Sequence, residues 1–179
     1  KKLIKHGYKF YTGTDTEVIL NAYREYGSDF LEQINGMFAL AIYDLNKEEL
    51  FLARDRIGKK PLYYFYQNNN IAFTSELISF KYLKTIIPLN IKMENIYLYN
   101  VFNYVPGNKT PFNEVCQVLP GEYVKIDFDT ITTSRYWEIN PKQNDINKNF
   151  DSILSDSVKI RMESSDVPVG AFLSGGVDS

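Results

Sequence analysis

The chain has 179 residues, 44% hydrophobic and 23% charged, the balance of one globular domain or of a domain plus part of a second. A formal net charge of −2 supplies no field that would draw it to nucleic acid or to an anionic membrane. The single cysteine, Cys116, excludes an internal disulfide and fits a reducing compartment, and no apolar stretch reaches the ~18 residues of a membrane span.

The first element is a helix in "TGTDTEVILNAYREYGSDF". Thr14 or Asp15 is the N-cap candidate, and Glu17 puts negative charge in the first turn. Val18, Ile19, Ala22, Tyr23 and Tyr26 recur at helical spacing, and Gly27 stands where a glycine ends a helix. A second short helix is predicted over residues 30–34. Four strand-like runs follow, at 37–43, 49–54, 62–66 and 71–74, separated by polar turn segments. Short turns between consecutive strands predict an antiparallel meander. The first run is apolar almost throughout, which predicts a central strand covered on both faces.

Residues 75–83 and 92–103 read as helices, and "EYVKIDF" with "TTSRYWEI" as a further antiparallel pair. Around residues 139–149 the composition turns to Asn, Pro and few apolar groups, the signature of a linker. Ile146, Phe150, Ile153, Leu154, Val158 and Met162 then mark one helix face, and "VPVGAFLS" reads as a short buried parallel strand. An α+β sheet domain therefore meets the start of an α/β domain. The chain opens without a methionine and closes inside a loop that should lead into a helix, so we expect a fragment.

The closing "SGGVDS" has the chemistry of a phosphate seat. Glycines let the backbone approach a ligand closely, and the free N–H groups of the loop and of a following helix form an anion nest. Ser174 and Ser179 add hydroxyls. Asp178 beside an anion requires a bridging divalent cation, such as Mg2+ on a nucleotide polyphosphate. No G-x-x-x-x-G-K-[ST] is present, so this is not a Walker A loop. The alternative is a plain Gly-Gly turn between strand and helix.

Ser174 to Ser179 resemble the S-G-G-x-D-S loop of PP-loop ATP pyrophosphatases at every fixed position. Upstream, "TGTDTEVILNAYREYG", "INGMFALAIYD", "ARDRIGKKPLYYF", "FTSELISF", "VCQVLPGEYVKID" and "RYW" resemble, in order, the glutamine amidotransferase domain of glutamine-hydrolysing asparagine synthetases. "SDSVKIRMESSDVPVGAFLSGGVDS" resembles the entry into their synthetase domain. Together these segments span nearly the whole chain.

The resemblance implies an Ntn-type αββα glutaminase domain followed by the first helix and strand of an α/β PP-loop domain. Its boundaries would be 1–140 for the amidotransferase part, 141–147 for a linker and 148–179 for the start of the synthetase. The family nucleophile is an N-terminal Cys, which this sequence does not contain, so no catalytic residue is assigned. Cys116 is internal, has no free α-amine and reads as an inert thiol. Asp15 matches the residue that binds the α-amino group of glutamine, whereas its local setting taken alone favours a helix cap, and both roles can coexist. Leu173, through its backbone, and Ser174, Gly175, Gly176, Asp178 and Ser179 match ATP-binding positions. Asp178 would lie near the magnesium of the pyrophosphate. Arg54 and Asp55 read as structural, and His6 is assigned nothing.

The implied activity is ATP-dependent, glutamine-hydrolysing synthesis of asparagine from aspartate through β-aspartyl-AMP, releasing AMP and pyrophosphate. ATP and Mg2+ are its cofactors, and glutamine and aspartate its other small-molecule partners. No nucleic acid or membrane is involved, a homodimer is allowed, and the cytoplasm is the expected location. Two alternatives remain open: a related amidotransferase or β-lactam-synthetase-like enzyme acting on another carboxylate, and an inert fragment.

Overall fold

A computed structural model describes residues 2–140, 149–165 and 167–176. The chain divides into two units, residues 1–138 and 139–179. In the first, helix α1 (Lys2–Lys5) precedes α2 (Asp15–Tyr26), a 3-10 turn (Gly27–Asp29) and α3 (Phe30–Gln33). Strands β1 (Ala39–Asp44), β2 (Glu49–Arg54), β3 (Tyr63–Gln67) and β4 (Asn70–Thr74) follow, then a 3-10 helix (Leu77–Leu83) and α4 (Met93–Phe102). Strands β5 (Val115–Gln117), β6 (Glu122–Ile126) and β7 (Ile131–Arg135) complete the unit.

The strands form two antiparallel sheets, ordered β1-β2-β6-β7 and β4-β3-β5. Successive side chains on a strand point to opposite faces, and the core divides accordingly. On β2, Leu50 and Leu52 pack with Leu62 and Tyr64 beside β3 and with Val124 and Ile126 of β6, which fills the space between the sheets. Phe51 and Ala53 point the other way, against Ala22 and Tyr23 of α2 and Phe30 and Leu31 of α3. On β3, Phe65 faces outward and packs with Val115, Phe80 and Ile87 under the 3-10 helix. The order is helices, sheet, sheet, helix, so the expected αββα layering is present. The expected pairing of "EYVKIDF" with "TTSRYWEI" is β6 against β7.

In the first unit three expectations need correction. The run at 37–43 is not a central strand: among the described residues β1 pairs only with β2, and of its six residues only Ile42 is buried. The doubly covered strand is β2, whose four inner residues are all buried. The four runs also do not form one meander, because β2 and β3 belong to different sheets. The chain between them turns at Asp55, a carboxylate only 1% exposed. It accepts from the backbone amides of Phe38, Ile57, Lys59 and Lys60 at 2.9–3.3 Å. Beside it, the Arg54 guanidinium donates to the carbonyls of Lys60, Val118 and Gly58. This knot leads the chain from one sheet to the other. Gly121, immediately before β6, closes it by donating its amide to the Asp55 carbonyl at 3.0 Å, and at its φ of +69° a Cβ would lie 2.3 Å from the Trp137 carbonyl oxygen. Finally, the predicted helix over 75–83 is a 3-10 helix beginning at Leu77.

In the second unit, α5 (Phe150–Glu163) starts at Asn149, whose side chain accepts from the Asp151 amide at 3.1 Å. Phe150, Ile153, Leu154, Val158 and Met162, the expected apolar face, are exposed. Ile146 and the expected linker at 141–147 lie outside the described residues. The run "VPVGAFLS" takes part in no β-ladder among the described residues, and a strand is defined by its ladder. Among the described residues, no helix is long and apolar enough to cross a membrane.

Candidate functional sites

Helix α2 is seated on the first sheet through Tyr23. Its ring meets Phe51 at 5.4 Å and Phe30 edge-on at 6.1 Å, and its hydroxyl donates to Asp44 at 3.3 Å. The C-terminal half of α2 is therefore held by the core, while its start and the polar segment entering it are exposed. The N-cap is Thr14, in extended conformation, and its side chain makes no cap hydrogen bond. Asp15 occupies the first helical position and is exposed. The capping alternative for Asp15 is thus not what the structure adopts, and its carboxylate stands at the positive end of the helix dipole.

The entering segment is fixed instead by Glu17. Its carboxylate accepts from the Tyr11 amide at 2.9 Å, the Thr12 amide at 2.7 Å and the Thr12 hydroxyl at 2.7 Å. The Thr12 and Thr14 hydroxyl oxygens lie 2.8 Å apart. A hydroxyl carries one proton, and that of Thr12 goes to the carboxylate, so Thr14 donates to Thr12. The Thr12 hydroxyl foremost, then the Tyr11 and Thr12 amides, hold the Glu17 carboxyl below its ordinary pKa. The sequence reading gave Glu17 only a first-turn charge. The signal for more was Thr14-x-x-Glu17, a capping-box pattern, here reaching two and three residues beyond the cap.

Other singled-out groups carry structure. Arg54 and Asp55 form the knot described above, as expected. Cys116 on β5 packs toward the space between the sheets, and burial pushes its thiol up, with the Tyr64 hydroxyl acting weakly in the opposite sense. A raised thiol pKa disfavours the thiolate, which fits an inert group. His6 Nδ1 lies 2.6 Å from a Glu25 carboxylate oxygen, tying α1 to α2.

In the second unit the Ser174 hydroxyl accepts from the Gly176 amide at 3.3 Å, a tight polar turn at the start of the loop. A Cβ added at Gly175 would meet nothing within 4 Å. The Leu173 side chain is 84% exposed. Asp178 and Ser179 lie outside the described residues. Asp15 and Ser174–Gly176 belong to different units.

The family described as glutamine amidotransferase domain matches residues 1–137. The chain belongs to that family. The amidotransferase unit is followed at residues 149–179 by a match to the family described as asparagine synthase. The putative glutamine-hydrolysing asparagine synthetase 2 of Methanocaldococcus jannaschii is 40% identical over 176 residues, covering 94% of this chain and 34% of that protein. Asparagine synthetase 1 of Bacillus subtilis is 38% identical over 185 residues, covering 100% of this chain and 29% of that protein. The chain thus spans about a third of these relatives' length. A protein of Gibberella zeae named amidase chry2 is 29% identical over 182 residues, covering 96% of this chain and 26% of its own. Among solved structures, the glutamine phosphoribosylpyrophosphate amidotransferase of B. subtilis superposes with a TM-score of 0.54 at 20% identity, over 78% of this chain and 26% of that one. At that identity the likeness concerns fold, and it matches the αββα layering of an Ntn-type glutaminase.

Proposed function

We propose that the protein is a glutamine-hydrolysing asparagine synthetase, which makes asparagine from aspartate with ATP and draws its nitrogen from glutamine. One observation carries the reading: a glutamine amidotransferase match and an asparagine synthase match stand in that order in one chain. The domain boundaries are 1–140 and 148–179, joined by a linker at 141–147.

Asp15 binds the α-ammonium group of glutamine. An exposed carboxylate on a helix seated in the core is a fixed acceptor for charge-assisted hydrogen bonds from an ammonium. At the second site, the backbone of Leu173 and the residues Ser174, Gly175, Gly176, Asp178 and Ser179 hold ATP. The open space at Gly175 and the hydroxyl of Ser174 suit a phosphate, which needs close backbone approach and neutral donors. Asp178 would hold Mg2+, which supplies charge neutralisation at the pyrophosphate. A free carboxylate is a poor acyl donor, so aspartate is activated as β-aspartyl-AMP, and ammonia from glutamine displaces AMP. Donors of the loop stabilise the negative charge developing on pyrophosphate.

The test follows the nitrogen. Full-length protein supplied with ATP, aspartate and glutamine carrying 15N in its amide should yield asparagine with 15N in its amide. Label released only as ammonia, with no asparagine formed, would overturn the reading. One relative bears a name other than asparagine synthetase, amidase chry2 of Gibberella zeae, and this motivates one second reading, in which another carboxylate is the acceptor. It predicts amidation of a different acid under the same conditions.

A further inference from the structure

We propose that Glu17 is a positioning residue for glutamine: by gripping Tyr11 and Thr12 it fixes the entry of α2 and so the placement of the Asp15 carboxylate. The inference rests on the reading that Asp15 binds the glutamine ammonium. Three donors from two consecutive residues converge on one carboxylate at 2.7–2.9 Å. The Thr12–Thr14 hydroxyl contact extends the grip to the residue immediately before Asp15. No side-chain cap bond at Thr14 does this work in its place. Glu17 lies in the first turn of a helix whose Tyr23 is locked against Phe30 and Phe51. It therefore transmits the rigidity of the core to an otherwise exposed loop. The depressed Glu17 carboxyl agrees with this geometry, because it stays ionised and a full acceptor at neutral pH.

The test uses the full-length protein and steady-state glutaminase kinetics. Glu17→Gln keeps the shape but removes the charge and one of the two accepting oxygens. It should raise the KM for glutamine about tenfold, the worth of one lost charge-assisted bond at the site it positions, with kcat changed less than about threefold. Asp15→Asn should raise KM by about a hundredfold, having lost the direct ion pair. The double variant should match Asp15→Asn alone, because nothing remains to be positioned. A Glu17→Gln enzyme with wild-type KM beside a weakened Asp15→Asn enzyme would overturn the positioning role while leaving the Asp15 reading intact. Effects that multiply in the double variant would also overturn it. An unchanged KM in Asp15→Asn would remove the reading beneath it. Should Glu17→Gln fail to fold, Thr12→Val deletes one of the three donors. It should raise KM about threefold, and an unchanged KM would again count against the proposal.

Discussion

The Asp55 carboxylate accepts four backbone amides within the span 38–60, and at 1% exposure water cannot replace it. Asp55→Ala should therefore cost about 3 kcal/mol or more of stability in urea unfolding, because four backbone N–H groups of a part-buried turn lose their charged partner at once. A cost under about 1 kcal/mol would show that the turn stands without it. Tyr136 adds a pH dependence. Its hydroxyl donates to the Arg54 carbonyl at 2.8 Å, and burial foremost, then the Asp55 charge, pushes it from 10.0 to about 12. The neutral form is favoured in the folded state, so its contribution is complete below pH 10 and is lost as pH rises towards 12. The urea midpoint should fall between pH 9 and pH 11 in the wild type, and fall less in Tyr136→Phe. Equal falls in both proteins would contradict this. At this scale the turn chemistry of "RDRIGKK" was readable as sequence, but the partners of Asp55 and Glu17 were not. The donors that reach a carboxylate follow from the path of the backbone, which local sequence does not specify.

At the scale of elements, Phe51 joins the helical layer to the first sheet. It is fully buried and lies 5.4, 6.2 and 5.2 Å from the rings of Tyr23, Phe30 and Tyr123. Phe51→Ala should cost about 3–5 kcal/mol, the range for deleting a buried aromatic ring. Tyr43, on the neighbouring strand and 55% exposed, should tolerate Ala at a cost below about 1 kcal/mol. Comparable costs at the two positions would contradict the layering. The strands themselves were legible because alternating apolar residues and polar turns are local signals. Their sheet membership was not. β2 pairs with β6, some seventy residues away, and the apolar run at 37–43 contains no mark that distinguishes an edge from a centre. β5 escaped prediction because three residues, Val-Cys-Gln, are too few to show a period. Asp15 was legible as a candidate only through the order of motifs around it, since its immediate neighbours favoured a cap.

For the whole molecule, the proposal couples two units whose sites are far apart in sequence, Asp15 near one end and the loop from Ser174 at the other. Such coupling predicts a fixed stoichiometry. Glutamine hydrolysed without amide formation would waste nitrogen, and ATP cleaved without it would waste activation. The most direct measurement is the ratio of products from full-length protein given ATP, Mg2+, aspartate and glutamine. The account predicts asparagine, glutamate, AMP and pyrophosphate in equal amounts. ADP and phosphate in place of AMP and pyrophosphate, or glutamate formed with no asparagine, would contradict it.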